Sequence, residues 1–160
     1  MSLEQKINNL ETDLHIMGTL VLDSLVGAVR ALEDKDTLKA SEVMDKDDEI
    51  DDAYMKIDQD WFELMATEQP VASDLRLSTS ILQASLHLER LGDLSVYLGK
   101  TTHEIHDLPI PESLHKIVVE MGDMVIDMAS SALESLKNRD AELALSTARK
   151  DELINSLYNK

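Results

Sequence analysis

Between residues 43 and 64, apolar side chains recur at Val43, Ile50, Tyr54, Ile57, Trp61 and Leu64, with Asp47 at the one remaining position of a 4-3-4-3-4-3 spacing. That spacing is the buried stripe of a packed helix, and here it carries one acid. The same reading along the chain predicts five helices. The first covers residues 3–34, and Lys35-Asp36 forms a turn with Asp36 as the N-cap of the next. The second covers 37–67 and ends before Pro70, which disfavours helix in the residue preceding it. The third covers 71–105 and is the most apolar. From Leu77 to Gly99 its only formally charged residues are Glu89, Arg90 and Asp93, so it reads as a central helix covered on most sides. A proline-bearing stretch, Asp107 to Pro111, separates it from a fourth helix over 112–136, and Asn138-Arg139-Asp140 begins a fifth. Helices this long suggest a bundle with coiled-coil-like packing.

The chain also repeats itself at an offset of 104: Met17-Gly18 falls on Met121-Gly122, Asp36 on Asp140, Asp47 on Asp151, Asp51 on Asn155 and Tyr54 on Tyr158. The expected organisation is all-α. A three-helix bundle over 1–107 and a linker over 108–111 lead to the first two helices of a second, incomplete bundle over 112–160. A complete second unit would end near 209, since 105 + 104 = 209. Two helices alone would expose an apolar face and seek a partner.

Composition agrees with the helical reading: 43% hydrophobic residues but only 5 Gly, 3 Pro and 3% aromatics leave few breakers and few strand formers. No apolar stretch reads as long enough to span a bilayer, and no secretory leader pattern is read at the N-terminus. Without cysteine there are no disulfides or thiolate metal sites. The formal net charge of −17 argues against nucleic acid and against direct attachment to an anionic membrane. Cations and basic protein surfaces would be attracted.

Two acid pairs carry the candidate chemistry. In Asp47-x-x-x-Asp51 and Glu89-x-x-x-Asp93 each pair lies on one helix face, about one turn apart. The midpoint of Asp51 and Glu89 is residue 70, as is that of Asp47 and Asp93, so two antiparallel helices turning at Pro70 bring all four to one level. Acids on an otherwise apolar face need protons, partners or a cation. The bland alternatives are a Glu89–Arg90 contact and a solvated groove. As ligands, four carboxylates would select hard or borderline ions such as Mg, Mn, Ca or Fe, with Zn acceptable. Asp48, Asp52, Asp58 and Asp60 lie off the stripe and read as a solvated face.

Other polar residues are weaker signals. His103 and His106 suit a helix C-terminus, and Glu112 with His115 suits a helix start. Glu112-x-x-His115 is one half of a di-iron signature that needs two such motifs. Met17, Met44, Met55, Met65, Met121, Met124 and Met128 read as core filler. No nucleophile–base arrangement, phosphate-cradling glycine loop or basic patch is found, so an enzyme is not expected.

The segment Gln69-Pro70-Val71-Ala72-Ser73-Asp74-Leu75-Arg76-Leu77, followed by Leu88-Glu89-Arg90-Leu91-Gly92-Asp93, resembles the PhoU family of phosphate-uptake regulators. Asp47-x-x-Ile50-Asp51 and the two-fold repeat resemble it too. The resemblance implies tandem three-helix bundles whose Glu/Asp-x-x-x-Asp motifs bind metal clusters, often iron. It implies a cytoplasmic negative regulator of the phosphate-starvation response, often a homodimer. Such a regulator would link the ATPase of a phosphate ABC transporter to a sensor histidine kinase such as PhoR, and would reach the inner face of the membrane only through those partners. Three positions depart from the family pattern. His87 stands where Glu is frequent, as a nitrogen ligand or a plain surface residue. Asp151-x-x-x-Asn155 offers an amide in place of a carboxylate. The second bundle's counterpart of Glu89-x-x-x-Asp93 is absent. The rival readings are a purely structural or interaction bundle without metal and a di-metal carboxylate enzyme of the ferritin-like kind.

Overall fold

A computed structural model describes residues 1–159. Among the described residues seven helices follow one another: α1 Leu3–Asp34, α2 Thr37–Asp45, α3 Asp47–Glu68, α4 Ala72–Ile105, α5 Glu112–Asn138, α6 Ala141–Arg149 and α7 Asp151–Tyr158. The start of α1 is fixed by a capping box, in which the Ser2 hydroxyl accepts from the Gln5 amide at 3.3 Å and the Gln5 side chain accepts from the Ser2 amide at 2.9 Å. Lys35 adopts the left-handed conformation that ends α1, and the Asp36 carboxylate caps α2 by accepting from the amides of Leu38 and Lys39, each at 3.0 Å.

The expected second helix is two. Lys46, at φ −90° and ψ −2°, breaks it between α2 and α3. The acid run explains the position. The break places Asp47, Asp48 and Glu49 in the first turn of a new helix, where negative charge is favoured; they would be poorly placed in the interior of a longer one. Lys150 breaks the last expected helix in the same way, ahead of Asp151 and Glu152.

The 104-residue repeat is visible in the backbone. Left-handed caps fall at Lys35 and Arg139, N-caps at Asp36 and Asp140, and breaks at Lys46 and Lys150. The repeats face each other through α1 and α5 with matching contacts. A Cβ on Gly18 would meet Leu133, and one on Gly122 would meet Val29. The same offset carries Gly18 to Gly122 and Val29 to Leu133, so the α1–α5 junction is a pseudo-two-fold.

The most enclosed helix is α1, which packs on α2, α3, α4 and α5. Its sequence includes an 18-residue window of mean hydropathy 1.4, long and apolar enough by composition to cross a bilayer, contrary to the sequence expectation. Half of that window is buried within the fold, where α1 forms the core with Ile50, Ile57, Leu64, Ile81 and Leu88. The expectation that residues 71–105 are covered on most sides also fails, because Leu94 and Tyr97 of α4 are 63% and 69% exposed.

The buried face of α4 is made differently from that of α3. It runs through Ser78, Ile81, Ser85, Leu88, Gly92, Ser95, Gly99 and Thr102 at strict 3-4 spacing, mostly small residues. Their hydroxyls bond back to carbonyls of their own helix, Ser78 to Asp74 at 2.8 Å, Ser95 to Leu91 at 2.9 Å and Thr102 to Leu98 at 3.0 Å. Polar atoms are thereby satisfied without partners across the interface, and the neighbouring helices come close. A Cβ on Gly99 would lie 3.1 Å from the Ala40 carbonyl oxygen.

Candidate metal centre

On the predicted stripe Val43 of α2 and Ile50, Ile57 and Leu64 of α3 are all buried, and Asp47 is half-buried among them. The chain turns between α3 and α4 at Gln69-Pro70, with Gln69 left-handed and Pro70 buried. Ile50 packs on Gly92. This contact sets Asp47 and Asp51 on one side against Glu89 and Asp93 on the other. Asp51 and Asp93 are exposed, while Glu89, like Asp47, is half-buried.

The four carboxylates act on one another electrostatically. Partial burial, followed by the charges of Asp51, Asp93 and Asp48, pushes the Asp47 carboxyl above its ordinary range, with Lys100 opposing weakly. Burial, followed by Asp93 and Asp51, does the same to Glu89, with Arg90 opposing. None of the four joins an ion pair among the described residues, so the bland Glu89–Arg90 contact is not formed. The donor set is therefore all oxygen, unpaired and self-repelling, which suits a hard or borderline cation by chemistry and level. Its spacing is wider than a coordination shell: among the described residues no three or more His, Cys, Asp or Glu are gathered closely enough to hold an ion. Closing on a cation would require the exposed Asp51 and Asp93 side chains to swing inward.

His87 lies apart from these acids. It borders an apolar groove of about 650 Å3 between α1, α4 and α5, whose floor includes Leu14, Ile81, Leu88, Leu91, Leu133 and Leu136. Residues two positions apart on a helix point about 200° apart, so His87 and Glu89 face opposite ways. On α7, Asp151 and Asn155 are exposed and engage each other, the Asn155 amide donating to the Asp151 carboxylate at 3.0 Å. Asp151 lines a second groove of about 470 Å3 between α5, α6 and α7.

His103, His106 and His115 make structural contacts. His106 caps α4 and pairs with Asp107 at 2.9 Å, and His103 meets the Ser41 hydroxyl at 3.0 Å. His115 does more than charge a helix start. Its Nε2 donates to the Glu33 carbonyl at 2.9 Å and ties α5 to the end of α1. Most methionines pack inside or at partly covered positions, Met17 completely, but Met55 is 62% exposed and is not core filler. Sequence reading missed the small-residue face of α4 and both grooves. Its only available signal was the 3-4 recurrence of Ser, Gly and Thr.

The PhoU domain family matches residues 14–102 and again 118–160. Over 153 residues the chain is 32% identical to the phosphate-specific transport system accessory protein PhoU homolog of Pseudomonas putida, covering 96% of this chain and 60% of that protein. The homolog of Pseudomonas aeruginosa is also 32% identical over 153 residues and is covered to 63%, so this chain spans less than two thirds of the length of either. The homolog of Clostridium acetobutylicum is 31% identical over 161 residues and is covered to 72%. Among solved structures, PhoU from P. aeruginosa superposes with a TM-score of 0.95 at 31% identity, covering 99% of this chain and 76% of that one. The phosphate transport system regulatory protein PhoU from Streptococcus pneumoniae superposes with 0.90 at 28% identity, covering 99% and 74%. With a domain match over most of its length, relatives above 30% identity and a shared fold, the chain belongs to the PhoU family.

Proposed function

We propose that this chain is a metal-binding, non-enzymatic regulator of phosphate uptake that restrains the phosphate-starvation response. It acts as an adapter between the ATPase of a phosphate ABC transporter and a sensor histidine kinase. The names of its relatives support the link to phosphate transport, and the domain bounds 1–107, 108–111 and 112–160 supply its frame. On this reading it works in the cytoplasm, as a homodimer, at the inner face of the membrane only through those partners.

The observation that carries the metal reading is the unpaired carboxylate quartet across the α3–α4 contact. Asp47, Asp51, Glu89 and Asp93 would hold the cation. A bound di- or trivalent ion, iron first and Mn, Zn, Mg or Ca as alternatives, would supply the positive charge that offsets their repulsion. Ile50 and Gly92 hold the two helices in register. The exposed Asp51 and Asp93 would close the site, and Asp47 and Glu89 would anchor it from the half-buried side.

The wide spacing of the acids favours a second reading, an interaction bundle whose quartet stays solvated and metal-free. Elemental analysis of untagged protein purified without chelator separates the two, with an Asp47→Asn, Glu89→Gln double variant prepared in parallel. Iron, manganese or zinc at about one or more equivalents in the parent and absent from the variant supports the metal site. No metal in either leaves the interaction bundle.

A further inference from the structure

The outward side of α3 carries a second, unexplained periodicity. Asp48, Asp52, Met55, Gln59, Phe62 and Ala66 follow one another at 4-3-4-3-4 spacing, and all six are exposed. They stand opposite the buried Ile50, Ile57 and Leu64, so they form one straight line on the surface. Met55 and Phe62 are 62% and 64% exposed, which gives the line an apolar half, while Asp48 and Asp52 make the other half anionic. The surroundings sharpen that sign. Residues 45–60 hold eight acids and two lysines (8 − 2 = 6 net negative charges), and one of the lysines, Lys56, is engaged by Asp13 and Asp60. Asp48 and Asp52 take part in no ion pair among the described residues. The line from Asp48 to Ala66 is about 27 Å long, five turns of helix.

We propose that this outer face of α3 docks an amphipathic helix of a partner protein, with an apolar stripe laid on Met55 and Phe62 and a Lys/Arg-rich end on Asp48 and Asp52. Heptad spacing on the surface matches the i, i+3, i+4, i+7 spacing of such a helix, and the charge selects a basic one. The proposal rests on the reading of the chain as an adapter, not on its metal, and uses none of the four candidate ligands.

The fold supplies a reporter. Trp61 is the only tryptophan, and its ring meets that of Phe62 edge to face with centroids 5.6 Å apart. A tryptophan-free peptide of about 18 residues, with leucine on one face and lysine on the other, is the probe. Its affinity is read by anisotropy of a label on the peptide, and its location by the emission of Trp61. The expected result is saturable binding that shifts Trp61 emission. It should weaken about tenfold or more in a Met55→Ser, Phe62→Ser double variant and in an Asp48→Lys, Asp52→Lys double variant. Binding should also fall as salt is raised, and a peptide with glutamate in place of lysine should not bind. Equal affinity for parent and both variants, or binding without change at Trp61, overturns the proposal. A fall from dimer to monomer in the Met55→Ser, Phe62→Ser variant, by sedimentation, also overturns it and assigns the face to a second copy of this chain. Metal content distinguishes the two readings, because metal-free protein that binds the peptide defeats only the metal site, and metal-loaded protein that ignores it defeats only the docking face.

Discussion

Ile50 of α3 lies so close to Gly92 of α4 that a Cβ on Gly92 would fall 3.1 Å from both Cδ1 and Cγ2 of Ile50. Ile50 stands between Asp47 and Asp51 in the sequence, and Gly92 between Glu89 and Asp93. One van der Waals contact therefore sets the separation of the four carboxylates.

Gly92→Ala tests that relationship. Alanine favours the helix by up to about 1 kcal/mol, whereas overpacking a tight contact costs about 1–3 kcal/mol. Ile50 is buried and has little room to yield, so a net loss of about 1 kcal/mol is expected in urea unfolding, together with reduced metal content. An alanine variant more stable than the parent would show that the helices separate freely there.

The pseudo-two-fold junction should respond asymmetrically. A Cβ on Gly122 would sit 2.8 and 2.9 Å from the two γ-carbons of Val29, a stiff and buried side chain. One on Gly18 would meet the end of the longer, partly exposed Leu133 at 2.7 Å, which can rotate away. Gly122→Ala is expected to destabilise by about 1–3 kcal/mol and Gly18→Ala by less. Chemical denaturation of the two single variants checks the order, and the reverse order would contradict the packing described.

Acid should strengthen the metal-free protein. Asp47 and Glu89 have carboxyls raised in the folded state, first by burial and then by their acidic neighbours. A group raised on folding contributes stability that is fully present below its unfolded pKa and lost as pH rises through its folded pKa. Melting temperature in chelator is therefore expected to rise as pH falls through the raised folded values toward the ordinary carboxylate range of about 4. Asp47→Asn should raise the value at pH 7 and flatten the slope. A slope of opposite sign would mean that the quartet does not repel itself.

Metal removal should act the other way at neutral pH. At a ligand concentration a hundred times the dissociation constant, a bound ion adds about 2.7 kcal/mol to stability. Calorimetry of metal-loaded protein before and after chelation should show that loss in the parent and not in the Asp47→Asn, Glu89→Gln variant. Identical melting before and after would leave the metal-free bundle as the reading.

Asp47 shows how much of the site could be read in one dimension. Its place on an a/d stripe, the spacing to Asp51 and the symmetry of both acid pairs about Pro70 predicted one level on facing helices, and the electrostatic coupling of the four agrees. Their final separation could not be read, because it depends on how closely Ile50 approaches Gly92. His87 departs from the family pattern in sequence, and it faces the α1–α4–α5 groove, since a two-residue step crosses the helix. The break at Lys46 was missed because the apolar period runs through it unchanged, while the backbone yields to the acids that follow.

By itself the sequence determined the helical class, the turns at Asp36 and Pro70, the 104-residue repeat and the face of α3 that enters the core. These are properties of period, capping and backbone restriction, which act over a few residues. Tertiary structure decided that α1 and not α4 is the most enclosed helix, that α4 packs through Ser, Gly and Thr, and that the carboxylates stand opposite one another without closing into a shell. Each of those depends on how near two helices come, and that distance is set by the joint volume of side chains far apart in the chain.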